Sequence, residues 1–242
     1  MARPPRIQVA GGFYHVTMRG NNRERIFFEE DDPRWFLATL GRTSRELGWR
    51  VHSYCLMQNH YHLLLETPEA NLAVGMQTLN STYSHQTNRA YGRIGHLFQR
   101  RYGSRLLTDG EHMLEVIRYI PLNPVRADLC AEPEAWPWSS YAATLGLVPR
   151  PAFLCTSWTL ALFSSDVRNA RERLHLWVES GSTKRPRGVV QLPLTALLPP
   201  GRLATGQAIR TARYDHGHSA RAIARHLGVG HASILRKLHA ES

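Results

Sequence analysis

Cysteine is scarce in this sequence of 242 residues. There are three, Cys55, Cys130 and Cys155, widely spaced and without a C-x-x-C pair. That pattern excludes a disulfide framework and a zinc knuckle, so the thiols are expected to be reduced and mostly buried. Long apolar runs are missing too; none approaches the roughly 20 residues that cross a bilayer. The opening Met1-Ala2-Arg3-Pro4-Pro5-Arg6 has no apolar stretch behind its charges. A secretory leader is therefore not expected, and a soluble, cytoplasmic protein is. Acid is nearly absent from the last quarter: residues 184–242 hold ten Lys and Arg against Asp215 and Glu241.

What is abundant is positive charge. Thirty Lys and Arg against nineteen Asp and Glu give a net +11. Residues 184–242 account for +8 of it, leaving +3 for the rest. A surplus of this size points to a polyanionic partner, nucleic acid above all. A second basic stretch, Ser84 to Arg105, has Arg89, Arg93, Arg100, Arg101 and Arg105 and no acid. Tyr91, Phe98 and Tyr102 lie among these arginines. Guanidinium groups pairing with phosphates beside rings that stack unpaired bases would make a single-strand groove.

Strand and helix signals alternate along the first 145 residues. Phe13 to Arg19 reads as a strand closed by Gly20-Asn21-Asn22. Asp32 is expected to cap a helix with Pro33 at its first position and Gly48 at its end. Trp49–Met57 and His60–Thr67 read as two strands about the Gln58-Asn59 turn. Leu72, Met76, Leu79 and Tyr83 recur at helical spacing. A fourth strand is expected between His96 and Leu107. A third helix follows from Thr108-Asp109, with Leu114, Ile117 and Ile120 inward, stopping before Pro124. The order β-α-β-β-α-β-α predicts an α+β fold, a ferredoxin-like antiparallel sheet with flanking helices. Residues 1–145 would form this domain, 146–180 a helical extension, 181–205 a basic linker, and 206–242 a small all-α helix-turn-helix.

Within this frame, His60-Tyr61-His62 places two imidazoles on one face of a strand, since side chains two apart point the same way. By itself that spacing suits either a metal pair or two packed histidines. Tyr119 and Asn123 stand four apart on the third helix and share its face, unless Pro121 breaks the helix between them. Spacing alone leaves Tyr119 open as a nucleophile or as a core tyrosine.

His60-x-His62, followed some sixty residues later by Arg118-Tyr119-Ile120-Pro121-Leu122-Asn123-Pro124-Val125-Arg126-Ala127, resembles the single-tyrosine HUH transposases. More closely it resembles the REP-associated tyrosine transposases. His15-Val16-Thr17-Met18-Arg19-Gly20-Asn21-Asn22-Arg23 with Ile26-Phe27 matches that branch as well, and the resemblance covers about residues 7–145. It implies an endonuclease and strand transferase acting on hairpin-flanking single-stranded DNA through a 5′-phosphotyrosine link. Tyr119 would be the nucleophile, His60 and His62 the metal ligands, Asn123 their assistant, and Mg²⁺ or Mn²⁺ the cofactor. Arg19, Asn21, Asn22, Arg23 and Arg126 join the basic stretch as DNA-binding candidates. Three positions depart from the pattern: Gln58 for a usual Pro, Tyr61 for an apolar residue, and Pro121 for a usual His.

The chemistry suits these residue types. A phosphodiester's negative oxygens repel a nucleophile, and a divalent ion on a nonbridging oxygen relieves that repulsion. A phenol ionises only at about pH 10 and must lose its proton during attack. Glu115, one turn before Tyr119, is a candidate acceptor for it.

Ser219 to Leu238 suggests the helix-turn-helix, with Ala224 allowing close packing, Gly228 the turn, and Ile223, Leu227, Ile234 and Leu238 its core. His231, Ser233, Arg236 and Lys237 would face a major groove and add duplex binding. Two other readings compete with the transposase: a DNA-binding regulator with an inactive catalytic domain, and a metal-dependent hydrolase that uses water. Monomer and homodimer both remain open.

Overall fold

The structure, a computed structural model, describes residues 8–181, 198, 204–205, 208–209, 212, 220–230 and 233. The chain divides into two units, Met1–Gly181 and Ser182–Ser242.

In the first unit four strands, β1 (Gly12–Arg19), β2 (Arg50–Met57), β3 (His60–Thr67) and β4 (Gly103–Leu107), form one antiparallel sheet in the order β2-β3-β1-β4. Alternation assigns its faces. Tyr14, Val16 and Met18 of β1 and Tyr61, Leu63 and Leu65 of β3 join a core with Phe36 and Leu40 of α1 (Asp31–Leu47) and Leu72, Met76, Leu79 and Tyr83 of α2 (Leu72–Ala90). The intervening residues, including His15, Thr17, His60 and His62, therefore face the other way. On that second side Leu64, Cys55 and Met57 pack with Met113, Ile117 and Ile120 of α3 (Gly110–Arg126). This is the α+β architecture expected: a four-stranded antiparallel sheet with flanking helices.

Residues 146–180 build on α3. Beyond the short α4 (Tyr141–Leu145) and α5 (Ser157–Ala161), helix α6 (Val167–Ser180) sends Ala170, Leu174 and Val178 into the same cluster as Val116 and Ile120. Trp177 Nε1 donates to Leu114 O at 3.3 Å, and the Arg118 guanidinium lies 4.4 Å over the Trp177 ring.

Several local expectations are corrected. Asp32 sits inside the first turn of α1 rather than capping it. Its buried carboxylate reaches back to accept the N–H groups of Phe28 (2.6 Å) and Glu29 (3.0 Å) and the Tyr91 hydroxyl (3.0 Å). Leu114 is only half buried, and Met113 points inward in its place. Of the thiols Cys55 alone is buried, while Cys130 and Cys155 are half buried. Helix α3 runs through both Pro121 and Pro124 to Arg126 instead of stopping before Pro124. Pro124 brings no N–H to the ladder, which would orphan the Ile120 carbonyl. Asn123 Nδ2 supplies the missing donor, reaching Ile120 O at 3.2 Å and Tyr119 O at 2.9 Å.

The second unit has its own small cluster. Ile223 and Ala224 of α7 (Ala220–Leu227) pack with Leu198, Ile209 and Ala212. Gly228, at φ +65°, stops the helix with its left-handed backbone. His231, Ile234, Arg236, Lys237 and Leu238 lie outside the described residues, as does most of the expected basic linker.

Candidate active site

The turn after β1 and the turn between β2 and β3 are tied together. Gly20 N–H donates to Asn59 O at 2.8 Å, and Asn59 Nδ2 donates to Arg23 O at 2.9 Å. Gly20 allows this close approach, since a Cβ there would stand 2.2 Å from Glu24 O. Asn22 (φ 50°) and Arg23 (φ 63°) take left-handed backbone to complete the turn. At the departing position 58, the Gln carbonyl accepts the N–H groups of Ile26 and Phe27 (2.9 and 3.2 Å). A backbone acceptor is what the fold uses there, and the exposed side chain is free to vary.

From this anchored turn β3 projects His60 and His62 toward the α3 side, their ring centroids 5.1 Å apart. His60 Nδ1 lies 2.7 Å from Asn59 Oδ1. His62 Nδ1 lies 3.1 Å from Nε2 of His15 on β1. His62 Nε2 is buried and has no hydrogen-bond partner. Burial lowers the pKa of His60, to about 4. His62 is pushed well below the usual imidazole value, by burial first and then by His15, His60 and Arg19. His15 is likewise lowered to about 4, chiefly by burial, with His112 and Arg105 adding to it. Neutral imidazoles are the form that donates a lone pair to a cation.

Tyr119 meets this group from α3. Its ring stands edge-on to His62 (5.3 Å between centroids) and to His15 (5.8 Å). The Arg126 guanidinium covers it at 5.2 Å. At 36 % exposure it is no core tyrosine. Asn123, one turn on, stays buried with its side-chain nitrogen committed to carbonyls of α3, and it lines neither of the clefts described below. Glu115 is exposed and ion-paired with Arg118 at 2.5 Å.

Two clefts meet at the histidines. The larger, about 710 Å³, is lined by His60 and His62 together with Thr17, Met18, Arg19, Arg23, Gln99, Arg100, Arg101, Tyr102, Gly103 and Ser104. The smaller, about 260 Å³, is lined by His15, His112, Glu115, Val116, Arg118, Tyr119 and Arg126. The hydrogen-bonded His15–His62 pair joins them. Of the expected DNA contacts, Arg19, Arg23, Arg100 and Arg101 come together beside the histidines, and Arg126 comes to the tyrosine. Arg105 pairs in register with His15. Arg89 is exposed at the end of α2, and Asn21 and Asn22 form the anchored turn. Arg93 is drawn aside by Glu24 (3.2 Å) and the Phe28 ring (5.1 Å). Ser233 is half buried.

Of the three rings expected to stack bases, Phe98 packs on Tyr61 and Tyr83 and Tyr91 bonds to Asp32, while Tyr102, although buried, lines the larger cleft. Apolar rings this close to the sheet gain more from the core than from the groove.

The residue that sequence reasoning left without a role is His15. Its signal was present: in β1 the apolar Tyr14, Val16 and Met18 alternate with His15 and Thr17, so His15 had to share the face of the H-x-H pair once β1 and β3 were neighbours. His112, seven residues before Tyr119 and hence on its side of α3, was missed as well.

Among the described residues no group of three or more His, Cys, Asp and Glu is arranged so that it could hold a metal ion by itself. The protein thus offers two imidazoles, one with a buried, unpaired nitrogen. That set fits a divalent ion completing its sphere with phosphate oxygens and water.

Comparisons with known proteins agree on one kind of relative. Residues 8–123 match the family described as transposase IS200 like. A Haemophilus influenzae protein named as a REP-associated tyrosine transposase is 25% identical over 142 residues, covering 54% of this chain and 80% of that one. The solved structure of a REP-associated tyrosine transposase bound to a REP hairpin aligns with a TM-score of 0.53 at 16% identity, over 64% of this chain and 92% of that one.

Proposed function

We propose that this chain, whose residues 8–123 match the family described as transposase IS200 like, is a strand transferase that cuts and rejoins hairpin-flanking single-stranded DNA through Tyr119. The observation that carries the reading is the half-exposed Tyr119 ring set edge-on against His62 and beneath Arg126. A core tyrosine would need neither the exposure nor the guanidinium.

In the proposed reaction the Tyr119 oxygen attacks phosphorus as it gives up its proton, the bond from phosphorus to the 3′ oxygen breaks, and the departing 3′ oxygen takes up a proton to leave as a 3′-hydroxyl. The protein keeps the 5′-phosphate as a phosphotyrosine, so a later 3′-hydroxyl reseals the strand without a nucleotide triphosphate. Arg126 over the ring favours the developing phenolate. Glu115 serves as proton acceptor once Arg118 turns to a phosphate. Arg19, Arg23, Arg100 and Arg101 hold the strand along the larger cleft. His60 and His62, assisted by Asn123 Oδ1, would hold Mg²⁺ or Mn²⁺, which when bound withdraws charge from the scissile phosphate. Imidazole ligands tilt the choice toward Mn²⁺. Because the histidines and the tyrosine meet within one chain, a monomer can act alone. Residues 206–242 add a helix-turn-helix that grips duplex DNA with Ser233, Arg236 and Lys237.

The test is incubation of a labelled hairpin-bearing single strand with the protein and Mn²⁺. A covalent protein–DNA adduct is expected, absent in Tyr119→Phe. Free 5′-phosphate product that survives Tyr119→Phe would assign a hydrolase using water. Binding without cleavage would leave a regulator.

A further inference from the structure

The two nitrogens of His62 have opposite surroundings. Nδ1 lies 3.1 Å from His15 Nε2, while Nε2 is buried without a partner, and His62 is one of the residues lining the larger cleft. A buried ring nitrogen left unpaired carries a desolvation penalty, so the fold is holding it open for an occupant. Which nitrogen of a histidine faces a ligand is set by the hydrogen bond that the other one makes.

His60 shows how the chain sets this choice at the neighbouring position. Its Nδ1 meets Asn59 Oδ1, and Asn59 Nδ2 is spent on Arg23 O. An amide oxygen only accepts, so the His60 proton sits on Nδ1 and Nε2 keeps its lone pair. His62 has no such amide. Across the β1–β3 ladder, however, Thr17 stands opposite His62 and His15 opposite Leu64, which puts the His15 ring diagonally beside His62, edge to edge with it, the centroids 5.3 Å apart and the planes within 23° of each other.

We propose that His15 is a positioning residue: its Nε2 accepts the Nδ1 proton of His62, fixes that ring's tautomer, and presents His62 Nε2 to the divalent ion. The same imidazole packs against the edge of Tyr119, so one side chain sets the spacing between ligand and nucleophile. His15 itself stays off the ion. The proposal rests on the metal reading given above.

Mn²⁺ binding to the full chain, followed by calorimetry, tests it in the parent, His60→Ala, His62→Ala, His15→Ala and His15→Gln. Glutamine can place an amide oxygen where His15 Nε2 stands and accept the same proton; alanine cannot. His15→Ala is expected to weaken binding about 10- to 100-fold, the range for removing the orienting partner of a metal-bound histidine, and His15→Gln to restore most of it. Spin-echo modulation with ¹⁵N-labelled histidine is expected to report two coordinated imidazoles. Parent-like affinity in His15→Ala, affinity in His15→Gln as weak as in the alanine variant, or a third coordinated imidazole would each overturn the proposal. Should His15→Ala fail to fold, His15→Gln decides alone, parent-like binding supporting the proposal and weak binding ending it. Unchanged binding in both His60→Ala and His62→Ala, or no binding by the parent, would instead remove the metal reading, and this proposal with it.

Discussion

Tyr61 separates the two histidines in sequence and points away from both. Its ring packs at 4.6 Å on Phe36, and its hydroxyl donates to Asn80 Oδ1 at 2.6 Å from a fully buried position. The polar tip in the middle of His-x-His is thereby explained: it pins β3 to α2 on one face of the sheet while the imidazoles occupy the other. Tyr61→Phe leaves the buried Asn80 oxygen without that donor, and a loss of about 1–3 kcal/mol is expected. Urea unfolding of the two proteins measures it. Adduct formation per folded molecule should be unchanged, because the catalytic face is untouched. A variant as stable as the parent would show that Asn80 finds another donor at no cost.

At the scale of elements, α3, the helix that bears Tyr119, continues past Pro124 by means of Asn123. If Asn123 Nδ2 truly replaces the absent Pro124 N–H, the two positions must be coupled. Asn123→Ala should cost about 1–3 kcal/mol, since the Ile120 carbonyl is then buried and unpaired. The same change in a Pro124→Ala background should cost less, because residue 124 then supplies its own N–H. A thermodynamic cycle by urea unfolding reads the difference; equal costs in both backgrounds would refute the replacement. This device is also where the sequence was least legible. Strand periodicity placed β1 and β3 within a residue, and the span of β3, His60–Thr67, agreed at both ends, because alternation and burial there obey a single rule. Propensity alone ended α3 at Pro124, since a side-chain donor to a carbonyl three residues back leaves no periodic trace. His15 went unassigned for a related reason: its partner lies 47 residues away, and strand adjacency had to be known first. Tyr91 and Phe98 of the arginine-rich stretch misled because groove and core rings share one composition.

Across the whole molecule, charge is divided more unevenly than mass. Residues 182–242 contribute +8 of the net +11 and form a compact unit of their own beside Met1–Gly181 in the chain. The two large hydrophobic clusters of the first unit draw only on residues 13–178, so a chain ending at Gly181 keeps its core. The cleft arginines, the histidine pair and Tyr119 all remain in that shortened chain. Adduct formation with a hairpin-bearing single strand should therefore persist after the deletion. Duplex affinity should fall, and the slope of log K against log salt should become shallower by about 0.9 for each phosphate no longer neutralised. Fluorescence anisotropy with a duplex, titrated from low to moderate salt, measures both quantities. Duplex binding with unchanged affinity and salt slope would place the duplex-gripping surface in the first unit, and the basic tail would then need a different partner.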